Sequence, residues 1–461
     1  MSEPQHRIDD VPLEIWLHVS TYLSKPEILA LNKTNRFFHQ LASPLAFKSI
    51  IFHLNRLALN VHGHDPNEDK AVISHIEDRT SRFRTISKSP KYAKQVEYFI
   101  FNGSFEGIKA MQAPPRPAFM NPPWQLSYET AVQSVIPGLA TFVSLRSLHL
   151  RTTFLDERDL RNLSKLPQLR TLHMFQIVFT GDSIVCPLAL EDFSIGGWRP
   201  TGYEPAPPVP NPLDIISPTD LETLTLKHEC PDNHSPILHA LSNSLDVCTN
   251  LTNIDVVLGW DDMEPFLTLL NKSPNLESLS VKWNRRLMAD EIPQDILRDE
   301  SLQRLHSYNG PVELVPIIFP NRHIRDVKLS TSYWLWSGVN LEESATATFS
   351  YLGQTSEPVK ELVIVDRIHL AGVHFELIAK YLPELRKLKI DAPAQSWRMN
   401  KLWQDLCSGN LPLPPKVEHL EICTENVMYV ENKEREYFNS LSRLYPNLEV
   451  VSLGSDECDY V

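Results

Sequence analysis

From Leu145 onward the chain repeats one spacing of apolar positions, Leu-x-x-Leu-x-Leu with conservative swaps. The copies begin with Leu145/Leu148/Leu150, Leu169/Leu172/Met174, Leu190/Phe193/Ile195 and Leu221/Leu224/Leu226. They continue through Leu251/Ile254/Val256, Leu276/Leu279/Val281, Ile324/Val327/Leu329 and Val359/Leu362/Ile364. The last are Leu385/Leu388/Ile390, Val417/Leu420/Ile422 and Leu448/Val451/Leu453, and a weaker copy sits at Leu302/Leu305. Four copies share a lead-in: Pro167-Gln-Leu169, Pro274-Asn-Leu276, Pro383-Glu-Leu385 and Pro446-Asn-Leu448. Start-to-start intervals run from about 21 to 35 residues. Helical patterns fill the gaps at 155–163, 236–247, 262–270, 373–381, 396–407 and 431–444. Strands alternating with helices at this period predict an α/β solenoid, with parallel strands inside and helices outside.

The two positions flanking the middle Leu of each copy point to the opposite side of the sheet. They are Ser147 and His149, Thr171 and His173, Asp192 and Ser194, Thr223 and Thr225, Asn253 and Asp255, and Ser278 and Ser280. Later pairs are Asp326 and Lys328, Lys387 and Lys389, and His419 and Glu421. A sheet buried on both faces would carry apolar residues there, so one face is open to water.

The N-terminal stretch follows a different period. Ile15, Val19, Tyr22 and Leu23 fall at i, i+4, i+7 and i+8, one apolar stripe of a helix. Leu13 and Trp16 lie beside it and Leu17 on another flank. Asp9 or Asp10 can cap this helix, with Pro12 in the first turn, where its missing N–H costs nothing. Ser24 caps a second helix, with Glu27 placed as in a capping box. Ile28, Leu29 and Leu31 give that helix apolar faces, and a third short helix carries Phe37, Phe38 and Leu41. So short a segment cannot bury all these side chains by itself. Some must meet the following domain or a partner.

Between this segment and the repeats, residues 44–54 alternate as a short strand, 68–95 read as one or two helices, and 94–101 as another strand. Prolines cluster at 114–123 and 200–218. Both clusters predict extended insertions, and the second predicts a mobile loop outside the solenoid core.

The N-terminal stretch resembles an F-box, whose loose signature is Leu-Pro-x-Glu-Ile, an apolar residue four positions on, and then Tyr-Leu. Pro12, Glu14, Ile15, Val19, Tyr22 and Leu23 match it in spacing, and Thr34-Asn35-Arg36-Phe37-Phe38 is similar to its second half. Val11, Trp16 and Ser20 depart from the pattern. The repeats resemble divergent leucine-rich repeats, with the usual asparagine after the strand recognisable at Asn284. Together the resemblances imply an F-box at 1–50, a connecting segment with first irregular repeats and a Pro-rich loop at 51–140, and a leucine-rich-repeat horseshoe at 141–455. An insertion at 199–219 and a short acidic tail at 456–461 complete the organisation. They further imply a substrate receptor of a cullin-based ubiquitin ligase. The adaptor-facing residues would be Pro12, Leu13, Ile15, Trp16, Val19, Leu23, Ile28, Leu29 and Leu31, docking on a Skp-type adaptor and through it a cullin.

Composition narrows the alternatives. With 44 Lys and Arg against 57 Asp and Glu, the net charge is −13, which argues against broad nucleic-acid binding and against anionic membranes. No apolar run reaches the ~18 residues of a membrane helix. Cys186, Cys230, Cys248, Cys407, Cys423 and Cys458 include no Cys-x-x-Cys pair, and reduced thiols in the cytoplasm or nucleus are expected.

Candidate chemistry is sparse. His62-Gly-His64-Asp65 lacks the remaining residues of a metallohydrolase pattern, because Pro66 and Asn67 stand in those slots. His228, Cys230 and His234 are soft ligand types, but only Cys248 is near to make a fourth. No nucleophile elbow, phosphate loop or His-Glu-x-x-His occurs. No catalytic residue, metal or cofactor is expected. Phe175, Trp198, Trp260, Trp283, Tyr333, Trp334 and Trp336 follow strands, where aromatic anchors or turn covers are both expected.

Strand-flanking charges include Arg151, Lys227, Lys282, Arg304, Lys328, Lys387 and Lys389 against Asp192, Asp255, Asp326, Glu361, Asp391 and Glu421. The near balance suits a specific protein surface, with a target expected near 280–390 on Lys282, Lys328, Tyr333, Trp334, Trp336, Lys387 and Lys389. The alternatives are a binding scaffold whose N-terminal helices only cap the solenoid, and a hydrolase with an unrecognised site.

Overall fold

The computed structural model describes residues 12–20, 22–54, 66–103, 124–197, 213–227, 235–283, 297–330, 341–365, 372–391, 396–423 and 434–454. The chain divides into two compact units, Met1–Ser217 and Pro218–Val461.

The first unit opens with helices α1 (Leu13–Ser20), α2 (Lys25–Leu31) and α3 (Arg36–Lys48), which lead into strand β1 (Ser49–His53). Next come α4 (Pro66–Lys88), α5 (Pro90–Ala93), β2 (Tyr98–Asn102) and α6 (Trp124–Gly138). The unit closes with β3 (Ser147–Asp156), α7 (Glu157–Leu163), β4 (Thr171–Thr180), β5 (Ile184–Leu188), β6 (Asp192–Gly196) and β7 (Leu213–Ile216). Strands β1, β2, β3, β4 and β6 pair in that order, all parallel.

The second unit contains β8 (Thr223–Lys227), α8 (Pro236–Asn243), β9 (Asn253–Leu258), α9 (Met263–Asn271), β10 (Ser278–Trp283) and β11 (Ser307–Pro311). It continues with α10 (Val315–Ile318), β12 (Asp326–Ser330), α11 (Leu341–Leu352), β13 (Glu361–Val365) and α12 (Gly372–Tyr381). Its last elements are β14 (Lys387–Asp391), α13 (Ser396–Cys407), β15 (His419–Cys423), α14 (Glu434–Leu444) and β16 (Val450–Gly454). Here β8 to β16 pair in chain order, every pair parallel. Each unit is a parallel α/β solenoid of the leucine-rich-repeat kind.

The repeat spacing produces this arrangement directly. Every second side chain of a strand falls on the core face, and the register brings the copies into rows. Leu148, Leu172 and Phe193 form one row, and Leu362, Leu388 and Leu420 another, all fully buried. Burying each such side chain is worth about 1.5–3 kcal/mol. Helices cover the same face. Phe83 of α4 meets Phe52, Phe99 and Phe142 edge-on, with ring centroids 5.7–5.9 Å apart. In the second unit Trp403 of α13 stacks on Tyr437 of α14 at 5.2 Å.

Several expectations are corrected. Residues 44–48 are helical, because Phe38, Leu41, Ala42 and Ala46 bury one face of α3. Pro44 is tolerated there because it and Gln40, whose carbonyl loses its partner, are both exposed. Pro12 precedes α1 rather than lying in its first turn, and its carbonyl accepts from Ile15 N–H at 3.0 Å. The end of the Pro-rich insertion is structured: β7 pairs with β5, and Leu213, Ile215 and Ile216 are buried.

The weak copy is really Leu305/Tyr308/Gly310, since Tyr308 is the register partner of Leu279 and Val327. The Tyr308 ring fills the space of the missing leucine, so a Cβ on Gly310 would lie 2.6 Å from the Tyr308 hydroxyl oxygen. Arg304 therefore falls in the turn before β11 and not on the sheet.

The turns are also more regular than one post-strand asparagine suggests. Asn250, Asn275 and Asn447, just ahead of their strands, donate side-chain amides to Thr219, Thr249 and Pro415 carbonyls at 2.7–2.9 Å. Where α10 is too short to close its repeat, Arg322 replaces backbone pairing. It is buried and donates to the carbonyls of Arg298, Ser301, Ile317, Ile318 and Pro320 at 2.9–3.3 Å.

Candidate docking surfaces

The N-terminal helices hold together through aromatic packing and leave their aliphatic side chains outside. Trp16 packs edge-on against Phe38 at 5.2 Å and Phe37 at 6.2 Å. Of the side chains expected to face a partner, Trp16 thus serves at least partly as glue between α1 and α3. The stripe itself is open: Ile15 is 51% exposed, Val19 42% and Tyr22 76%. Leu17 and Leu29 are exposed as well, α2 buries no residue, and Leu23, Ile28 and Leu31 are half-buried. Pro12 is exposed. The side chain of Leu13 lies outside the described residues.

The geometry of α2 is fixed locally. Ser24 donates both its N–H and its hydroxyl to Glu27 Oε2 at 2.6 Å, which supplies the glutamate half of the predicted capping box. Those bonds hold the Glu27 carboxyl below its ordinary value. Lys25 Nζ reaches the Ser49 carbonyl at 2.5 Å, tying α2 to the start of β1.

The open sheet face of the second unit is a lattice of opposite charges. Lys227 meets Asp255 at 3.2 Å, Lys387 meets Glu361 at 3.4 Å, and Lys389 meets Glu421 at 2.8 Å, each across one strand boundary. Asn309 donates to Ser280 Oγ at 3.2 Å in the same plane. Two of the lysines expected to bind a target, Lys387 and Lys389, therefore spend their charge within the sheet. Lys282 and Lys328 are exposed and make no ion pair among the described residues. Tyr333, Trp334 and Trp336 lie outside the described residues, as do His62 to Asp65, Trp198, His228, Cys230, His234 and Asn284. The side chain of Trp260 does too. Trp283 is half-buried.

The first unit shows a face that the repeat pattern did not single out. Tyr98, His149 and His173 are ring neighbours across three strands, and His173 Nε2 lies 3.0 Å from Asp192 Oδ2. Phe175 and Ile51 are exposed. The available signal was the pair of histidines at matching positions of consecutive repeats, which strand register must bring side by side.

Among the described residues no group of three or more His, Cys, Asp or Glu is placed to hold a metal ion, and no helix is long and apolar enough to cross a membrane. Cys186, Cys248, Cys407 and Cys423 are free thiols. Burial pushes the Cys248 thiol up to about 11, and burial with the Glu421 contact pushes Cys423 up to about 12. Both are poor nucleophiles at neutral pH.

No family model matches the chain, and no curated protein sequence does. Among solved structures, the chain is similar to one of the Rad7 and Elc1 complex in yeast, at 13% identity over 98% of this chain and 94% of that one, with a TM-score of 0.34. It is similar to one of a TLR13–ssRNA13 complex at 14% identity over 69% of this chain and 37% of that one, with a TM-score of 0.31. Likenesses this distant say nothing about function.

Proposed function

We propose that the chain is the target-recognition subunit of an SCF-type ubiquitin ligase. Helices α1 and α2 dock on a Skp-type adaptor, the adaptor joins the chain to a cullin, and the open sheet holds a target protein. One observation carries the reading: the apolar stripe that resembles an F-box is exposed at Ile15, Val19 and Tyr22, with Leu29 of α2 exposed as well. Exposed apolar side chains gathered on one short helical segment are the ordinary mark of a protein contact. On this reading the chain makes and breaks no bonds. It raises the local concentration of the target and orients it, in the cytoplasm or nucleus.

The test is calorimetric titration of the adaptor into the full chain and into Ile15→Asp and Val19→Asp. Both positions are exposed, so the melting temperature should hold. In the complex each variant buries an unpaired carboxylate, and affinity should fall by at least about 100-fold. Unchanged affinity in both rejects the adaptor contact. Copurification with and without residues 1–50 adds a second reading. Helices that merely cap the solenoid would bring down neither adaptor nor cullin in either case.

A further inference from the structure

Strands β2, β3, β4 and β6 set Tyr98, His149, His173 and Asp192 beside one another in two adjacent rows of the open face of the first unit, His149 opposite His173 and the other two one row away. Ring centroids are 5.0 Å apart for Tyr98–His149 and 4.5 Å for His149–His173. Arg151 lies two residues beyond His149 on the same side of β3 and is exposed. Its register partner on β4 is Phe175, 42% exposed. That ring is held in place from below. It lies over Gly197, at φ +63°, where a Cβ would come within 2.3 Å of it.

Charge on this patch does not balance. The one carboxylate, Asp192, is already committed to His173, and His149 is a neutral imidazole near neutral pH, so nothing on the patch answers Arg151. Arg151 makes no ion pair among the described residues. Across β13, β14 and β15 each strand lysine is matched by an acid next door, Lys387 by Glu361 and Lys389 by Glu421. What is left on the patch is one unpaired cation, Arg151, beside an exposed aromatic ring. His149 registers the imbalance: burial, then His173 and Arg151, hold its pKa down at about 4.

We infer that this patch binds an acidic segment of a partner protein, with a carboxylate between Arg151 and His149 and a neighbouring apolar side chain on Phe175. The inference rests on the open sheet being the target-binding face. A guanidinium gives a carboxylate a charge-assisted, two-pronged contact, and an immobilised aromatic ring is a typical anchor. A basic segment would meet like charge. A wholly apolar one would cover Arg151 without pairing it.

The probe is a labelled acetyl-Glu-Leu-Glu-Leu-Glu-amide peptide, titrated into the full chain by fluorescence anisotropy, with the Gln-Leu-Gln-Leu-Gln peptide as its neutral counterpart. Saturable binding with a Kd below about 1 mM is expected. Affinity should fall at least about tenfold for the neutral peptide and for Arg151→Glu, severalfold for Phe175→Ala, and not at all for Lys380→Glu on the exposed side of α12. The His149 pKa, followed by NMR, should rise from about 4 when the acidic peptide is bound. Arg151 and Phe175 are exposed, so the variants should keep the parent melting temperature. Three results overturn the inference: no saturation by about 1 mM, equal binding of the neutral peptide, or full affinity in Arg151→Glu. The adaptor is absent from this titration. Failure here therefore removes the acidic segment and leaves the adaptor contact to its own test.

Discussion

In the second unit, Lys387 and Lys389 reach across strand boundaries to Glu361 and Glu421. In the first unit, corresponding positions hold Tyr98, His149 and His173, which touch one another as rings. The strands beneath are alike: parallel, in register, with Leu148 and Leu388 in equivalent buried rows. The difference lies wholly in the alternate positions. Core-facing residues hold the sheet together, so their identities are constrained to leucine-like shapes. Open-face residues contribute little to that, so strands β13 to β15 can close their own charges while β3 and β4 leave Arg151 and Phe175 unmatched. A surface that satisfies itself gives a partner little to gain, because binding would have to replace existing ion pairs. A surface with an unmatched cation and a fixed ring offers net gain on contact.

The strongest way to break this comparison is to attack what the units are held to share. Leu148→Ala and Leu388→Ala each remove a fully buried side chain and should each cost about 3–4 kcal/mol. Hydrogen exchange of amides in β3 and β14 reads the two units separately. Costs differing by more than about 2 kcal/mol would mean that the cores differ too, and not merely the faces. A smaller effect sharpens the contrast. Lys389 and Glu421 are 24% and 26% exposed, so Lys389→Met should cost about 1 kcal/mol, and the swap Lys389→Glu with Glu421→Lys should restore most of it. An unrestored swap would show that the lattice in the second unit does not stabilise it through charge.

The repeat spacing made the sheet and the identity of its open face readable from the chain alone, because period-2 alternation and the Leu rows are the same physical fact. It failed where shape replaced chemistry. Tyr308 with Gly310 occupies the volume of two ordinary residues, and the leucine spacing there points three positions early, to Leu302. Phe99 and Phe101 continue the Leu rows on β2, hidden by their different residue type. Arg322 was invisible because its role is defined by five carbonyls from two segments of the chain, the turn at 298–301 and the end of α10. The capping box at Ser24 was legible because it is local. The pairing of Lys387 and Lys389 was not, because it depends on which strands become neighbours and in what register. The same gap concealed the Tyr98–His149–His173 cluster, although each histidine was already assigned to the open face.

The smallest expected effect is a pH dependence confined to the first unit. In the folded chain His149 titrates near 4, against 6.5 for an unhindered imidazole. The groups facing it are Tyr98 from β2, Arg151 on its own strand, His173 from β4 and Asp192 beyond it. Burial comes first among the causes, His173 and Arg151 reinforce it, and Asp192 opposes it. Between pH 6.5 and 4 the unfolded chain therefore binds more protons here than the folded one. Stability must fall as pH drops through that window and level off below it. Water on this open face cuts the cost to below about 1 kcal/mol. His149→Gln cannot take up the proton, so its stability should fall less steeply over the same window, while remaining close to the parent at neutral pH. Carboxylates elsewhere titrate equally in both chains and cancel in the difference. Hydrogen exchange should place that difference in β3 and β4, with nothing in β14 and β15. Identical acid profiles for the two chains, or an NMR pKa near 6.5 for His149, would mean that the histidine line is fully solvated and that the faces of the two units differ less than their side chains imply.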